Sequence, residues 1–389
     1  MPFASVVKPV AGPEAFSRSD DAAVLSQAAF LLALGAQLSD DEPARMVRAA
    51  AAEVKVLDVL PSEDLSVFPI PSLKGPSPVV RSDIQLRSLE ARYGHWVAEK
   101  ELSGYAEKAL PSALVDLAER VYREPIPSHA ADLMQLSRRS PSPLVRVVAA
   151  AALLPAADDP GIQRTLEAGV RESDPLVREL AALALSRLAE DHPLIRSLTE
   201  KGRGAGAAAG ANTTMLVHGT FALNNDWWQP DGDFHTYIRQ QVRPDLYSLP
   251  DRFDWSGGYS DPARQLGAQQ LFDWVTQRNE AGLNLFCHSH GGNVAMLATR
   301  MGLQIGDLVL LSCPANESKY VPEFNRIRRA ISIRVHLDLI ILGDWLVGGG
   351  AQRFRHPQIE ENVLPLWFDH SATHNPGVWT THNVPSLIS

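Results

Sequence analysis

Residues 283–300 constrain this chain more than any other stretch. Leu283-Asn284-Leu285-Phe286 is a short apolar run of the kind that forms a buried strand, and Gly291–Arg300 carries a helical pattern. Between them stand Cys287-His288-Ser289-His290-Gly291-Gly292. A backbone that passes from strand to helix in so few residues must turn sharply at Ser289. The strand and helix backbones then nearly touch, so small residues are needed two positions away on each side. Gly291 and Cys287 occupy those positions. The turn strains Ser289, exposes its hydroxyl and puts its amide near a helix N-terminus.

The surrounding chain is consistent with a parallel sheet. Met215–Val217, Phe253–Trp255, Leu283–Phe286, Leu308–Leu311, Ile331–Val335 and Val363–Trp367 read as strands. Phe234–Val242, Pro262–Gln277 and the segment after Gly292 read as helices between them. Such alternation predicts helices on both faces of the sheet, over residues 213–389. The connection Ser312–Ala330 is too short to hold a cap domain.

Residues 1–200 read as all-α. Asp20–Leu38, Asp41–Leu57 and Ser82–Glu107 carry helical patterns, with a Pro/Ser-rich loop at 61–82. Pro143-Leu-Val-Arg146 recurs 32 residues later as Pro175-Leu-Val-Arg178, each followed by an Ala/Leu helix. Pro111-Ser-Ala-Leu-Val115 is a weaker copy another 32 residues upstream. Proline at a helix start followed by Val, Ala and Leu at helical spacing resembles short HEAT-like repeats over about 110–200. A Gly/Ala run at 201–212 reads as a linker to the sheet domain.

Nine of the twelve histidines and seven of the eight tryptophans follow that linker. The net charge is −9; residues 213–389 carry 13 Lys+Arg and 17 Asp+Glu, and the rest carry 23 and 28. Neither half is basic, which argues against a nucleic-acid partner. Two cysteines, Cys287 and Cys313, make no disulfide framework and fit a reducing compartment. The N-terminus lacks signal-peptide layout, and the longest apolar runs, Ala28–Ala36 and Leu337–Leu342, fall short of the ~20 residues that span a bilayer. A cytoplasmic protein without a membrane span is expected.

His218-Gly219-Thr220 directly follows the first strand of the sheet domain. A tight turn there aims an amide at a developing oxyanion, so the amides of Thr220 and His290 are a candidate oxyanion pair. The adjacent Trp227 and Trp228 follow on the same loop and, with His218 and His288, are candidates for lining a substrate pocket. Arg264 reads as a buried ion-pair or capping residue. His370 and His374 are four apart, but nothing nearby completes a zinc ligand set.

His218-Gly-Thr, Trp255-Ser-Gly257, Arg264, His288-Ser-His-Gly-Gly292 and Asp369-His-Ser together resemble the α/β-hydrolase superfamily, in its lipase/esterase branch, over residues 213–389. Cys287 departs from the glycine usual at its position. The resemblance implies a nucleophile at Ser289 and, later in the chain, an acid and then a histidine. The acid is expected at Asp338, with Asp344 on the same loop as the alternative. The histidine is expected at His370, with His374 and His382 as alternatives. A serine hydroxyl needs such a base, and the base needs an acid to fix its tautomer. The implied activity is hydrolysis of small-molecule or lipid-like esters, with no metal or organic cofactor. The alternatives are amide, thioester or acyl-transfer chemistry, or an interaction scaffold on an inactive fold. The helical domain is a candidate surface for a protein partner or self-association.

Overall fold

The computed structural model describes residues 7–38, 60–74, 106–156, 159–200, 213–248, 252–278 and 282–388. The helix expected at 41–57, residues 82–105 of the one expected at 82–107, and the Gly/Ala run at 201–212 lie outside these. The chain forms two compact units. One contains Glu190–Ile341 and Gly350–Ser389; the other contains Val7–Ala189 and Leu342–Gly349.

The helical unit opens with α1 (Asp21–Leu38). Asp20 starts it by accepting from the Ala23 amide at 3.1 Å. Its polar residues are satisfied inside the unit: Val10 N donates to Ser26 Oγ, and Gln27 Nε2 donates to the Ala15 carbonyl. By length and composition α1 could cross a membrane, yet 72% of its apolar window is buried inside the protein. The helix is longer than the apolar run that marks it because small and polar residues are buried with the leucines. Its Gly35 faces α4 (Pro143–Leu153) so closely that a Cβ would lie 2.5 Å from Ala152 Cβ.

Between these run α2 (Ala106–Arg123) and α3 (Pro127–Ser137); α5 (Pro160–Val170) and α6 (Pro175–Leu188) follow. The two PLVR segments are built alike. Pro143 and Pro175 each stand first in a helix, where a missing N–H costs nothing. Ser142 and Asp174 cap the first turns. Arg146 reaches back to the Ser140 and Pro141 carbonyls, and Arg178 to Glu172. Pro111 is different: it lies inside α2, which begins five residues earlier, so 111–115 is not a third copy of this start. The segment expected as loop at 61–82 contains a short helix, Ser62–Val67, whose first turn carries Glu63 and Asp64.

The other unit is a five-stranded parallel sheet in the order β1-β2-β3-β4-β5. The strands are β1 Thr214–Val217, β2 Leu283–His288, β3 Ile305–Leu311, β4 Ile327–His336 and β5 Ile359–Trp367. Leu246 adds a parallel bridge outside β1, at Thr214. Alternate strand residues enter two cores. Val217, Leu285, Cys287, Leu308 and Leu310 pack with α8 (Asp261–Gln277) and α9 (His290–Arg300). Leu216, Phe286, Val309, Ile331, Ile333 and Leu366 pack with α7 (Asp233–Gln241) and α11 (Pro376–Thr381). Between β4 and β5 runs α10 (Leu339–Gly348).

Phe253–Trp255 is not a strand. Phe253 and Trp255 are both buried in the core, with Asp254 between them, and the Trp255 indole N–H donates to the His218 carbonyl at 2.9 Å. The apolar-polar-apolar pattern there reflects burial of two rings, not ladder pairing.

Candidate functional site

Four adjacent strands leave the sheet through a residue with positive φ: Ser289 after β2, Ser312 after β3, Leu337 after β4 and Phe368 after β5. Three of them still donate to the neighbouring strand before turning. Ser289 N bonds the Leu311 carbonyl, Ser312 N that of Ile333, and Phe368 N that of His336. Left-handed backbone at non-glycine residues is costly and collects where geometry is imposed for use. It marks the C-terminal edge of this sheet, where ligands of parallel α/β sheets bind.

Ser289 has φ 52° and ψ −135° and stands at the N-cap of α9 without using its side chain as a cap. The crowding expected around it is present. A Cβ on Gly291 would lie 2.6 Å from the Val217 and His218 carbonyl oxygens, and one on Gly219 would lie 2.7 Å from Ser289 Cβ. Cys287 points into the core beneath and is fully buried, which pushes its thiol pKa up. The expected exposure of the serine is not found: Ser289 is only 2% exposed, because the Gly219 turn packs directly against it.

Asp338 and His370 meet. His370 Nδ1 lies 2.7 Å from Asp338 Oδ2, and both side chains are buried. The other carboxylate oxygen of Asp338 accepts from the Ile340 and Ile341 amides, so the acid also caps α10. Its backbone is clamped by Gln352, whose Oε1 accepts from Asp338 N and whose Nε2 donates to Asp338 O, each at 3.0 Å. An antiparallel bridge between Ala315 and Ala351 places that glutamine. Asp344 is buried within α10. His374 stacks on Trp227 at 4.1 Å, and His382 follows α11.

His370 and Ser289 come from the exits of β5 and β2, and His288 links them. Its ring lies 4.6 Å from that of His370, and its Nε2 faces the His370 carbonyl at 3.4 Å. Burial, reinforced by the neighbouring His374 and His370, holds His288 well below the usual histidine range. Burial likewise takes His374 down to about 3, with His370 adding to the effect. Both are neutral imidazoles at ordinary pH.

The residue after the serine is held from the side. Arg264 Nη2 donates to His290 Nε2 at 3.0 Å, and Nη1 donates to Tyr320 Oη and Asp261 Oδ1. Arginine can only donate, so His290 Nε2 accepts from it, and His290 Nδ1 lies 2.8 Å from Asn293 Nδ2. Burial works to raise Asp261, but hydrogen bonds from Tyr320 and Lys319 and the charges of Lys319 and Arg264 outweigh it, and its carboxyl is held low. Arg264 thus serves an ion-pair network as expected, and is tied to the turn that carries Ser289.

The four expected pocket residues divide. Trp228 is core: its indole donates to the Ala222 carbonyl and its ring lies 4.5 Å from His218. His218 is fully buried between Trp228 and Trp255, and burial lowers it to about 4. Trp227 is half-buried and packs edge-on to His288 as well as on His374. Gln352, Tyr320 and Ser312 escape sequence reading because nothing in their local pattern distinguishes them from loop residues. Asn293, three residues after His290 on one helix face, carries a detectable spacing. Among the described residues no group of three or more His, Cys, Asp or Glu is arranged to hold a metal ion.

The chain is a mixed α/β protein with a helical N-terminal region and a C-terminal parallel sheet of five strands. No protein-family profile matches it, and no curated protein does. It is similar to the crystal structure of an uncharacterized protein from Bacillus cereus, at 12% identity and a TM-score of 0.27, over 76% of this chain and 98% of that one.

Proposed function

We propose that residues 213–389 are a serine hydrolase of carboxylic esters, built on an α/β-hydrolase sheet. One observation carries the reading: the buried Asp338–His370 hydrogen bond stands at the same sheet edge as a serine in a strained strand-to-helix turn. The extra bridge at Leu246 and the strand exits at Thr220, Ser289, Asp338 and His370 support it, since they follow the order in which that fold presents its groups.

In this reading Asp338 fixes the Nδ1–H tautomer of His370, which leaves Nε2 as the base. Ser289 Oγ attacks the ester carbonyl carbon while His370 takes its proton. The Thr220 and His290 amides receive the oxyanion. His370 then protonates the leaving alcohol, and a water activated by the same imidazole releases the acid and restores Ser289. No metal or organic cofactor takes part. Cys287 and Cys313 are buried and form no disulfide, in keeping with a cytoplasmic site of action. Amides, thioesters and acyl transfer could use the same groups.

Fluorophosphonate labelling tests the reading. Labelling of the wild type that disappears in Ser289→Ala is expected; a folded wild type that takes no label sinks it in favour of a scaffold. Turnover of p-nitrophenyl esters against matched amides and thioesters then sorts the acyl chemistry.

A further inference from the structure

Apart from His218 Nε2, whose ring is enclosed by Trp228 and Trp255, three buried polar atoms without hydrogen-bond partners sit at the exits of three adjacent strands: Thr220 Oγ1 after β1, His288 Nδ1 at the end of β2 and Ser312 Oγ after β3. Their residues are 5%, 5% and 0% exposed. Ser289 leaves the middle strand, so all three flank it. A Cβ on Gly219, next to Thr220, would lie 2.7 Å from Ser289 Cβ and 3.4 Å from His288 Nδ1, which puts that nitrogen beside the nucleophile. Ser312 follows Leu311, whose carbonyl accepts from Ser289 N at 2.9 Å.

The chemistry of the three atoms is specific. His288 Nε2 faces a carbonyl, so it carries the proton, and Nδ1 presents a lone pair. The ring is neutral because it is buried beside other imidazoles. These three atoms therefore offer one acceptor nitrogen and two hydroxyls, none of them charged. A hydrocarbon chain would leave all three unsatisfied. A carboxylate would meet a lone pair, and an ammonium no counter-charge. A hydroxyl group donates to Nδ1 and accepts from Thr220 or Ser312.

We propose that the ester cleaved at Ser289 carries a hydroxyl group within a few bonds of its scissile carbonyl, as in a hydroxyacyl ester or an ester of a polyol. This rests on the hydrolase reading above. Plain fatty esters of simple alcohols are poor substrates by comparison, because they strand the three polar atoms.

The test uses the full chain and two matched pairs. p-Nitrophenyl 3-hydroxybutyrate against p-nitrophenyl butyrate probes the acyl side; glyceryl monoacetate against propyl acetate probes the alcohol side. Fluorophosphonate labelling is run on the same preparations. The expected result is kcat/KM about ten-fold or more higher for the hydroxylated member of one pair, with that ratio collapsing towards one in Ser312→Ala and in Thr220→Val. Two variants are used so that one misfolded protein does not decide the outcome. An enzyme that labels but prefers the deoxy member in both pairs, turns over neither pair, or keeps its ratio in both variants overturns the proposal. A folded wild type that neither labels nor turns over any ester overturns the hydrolase reading itself, and this inference with it.

Discussion

His370 Nδ1 and Asp338 Oδ2 are 2.7 Å apart, and the second oxygen of the same carboxylate caps α10 through the Ile340 and Ile341 amides. One side chain therefore orients the imidazole and starts a helix. Asp338→Asn is expected to separate the two roles. An asparagine oxygen can still cap the helix, so thermal stability changes little. The imidazole loses its charged partner and favoured tautomer, and kcat falls on the order of 10⁴-fold with little change in KM. Asp338→Ala loses the cap too, at about 1–2 kcal/mol. Ester kinetics beside chemical denaturation checks both; equal stability loss in the two variants would remove the capping argument.

The two small positions around Ser289 are not equivalent. At Gly291 a Cβ would lie 2.6 Å from two backbone oxygens of the neighbouring strand and its exit, which cannot swing aside. Gly291→Ala should cost about 3 kcal/mol or more and abolish serine labelling. Cys287 fills core space, so Cys287→Gly should destabilise, by about 1–2 kcal/mol, and not improve activity. Denaturant melts read the two numbers. The buried thiol should also resist iodoacetamide in the native state.

Arg264 bridges His290, Tyr320 and Asp261. Arg264→Met strips a buried network of its central cation and is expected to cost about 3–5 kcal/mol. Arg264→Lys restores the charge but not the forked geometry, so it should recover stability while kcat stays low and KM is unaffected. Parallel melts and steady-state kinetics test this. Recovery of kcat along with stability would show that the arginine does not position the turn.

Acid sensitivity follows from the buried imidazoles. Burial holds His218 at about 4, His374 at about 3 and His288 well below its ordinary value. Each has a folded-state pKa below its unfolded value of 6.5, so the unfolded chain binds more protons as pH falls below that value. Their contribution is fully present above pH 6.5 and declines on acidification, by up to about 1.4 kcal/mol per pH unit for each histidine. Between pH 6.5 and 5 the ordinary carboxylates are still ionised, and among the described residues burial raises only Glu361 towards this window, so the change there reports chiefly the imidazoles. Melting temperatures at pH 7.5, 6.0 and 5.0 should fall steeply, and a flat profile would contradict the neutral assignment.

Local features of this protein are legible in its sequence where their causes are local. The strand-turn-helix at Ser289 follows from an apolar run, two glycines and a helical pattern within a few residues. The PLVR helix starts follow from a proline, a capping Ser or Asp and an arginine that reaches its own preceding turn. Alternating helices and strands likewise announce a parallel sheet. Strand pairing is not local, and so Phe253–Trp255 reads as a strand although its two buried rings serve the core and its backbone joins no ladder.

The site depends on distant partners. Asp338 and Asp344 differ little in local sequence, and so do His370, His374 and His382. Only the placement of β4 beside β5 brings Asp338 to His370, 32 residues on, while His374 is taken up by Trp227. Gln352 clamps the acid, Arg264 holds the turn after the serine, and Trp228 and His218 pass into the core, all through contacts that chain neighbours do not predict. The sequence by itself determined where the backbone must bend at Ser289, because sterics act over adjacent residues. The tertiary structure decided which buried polar groups stand beside that bend, because hydrogen bonds in a low-dielectric interior are satisfied by whatever the packed sheet edge brings within about 3 Å.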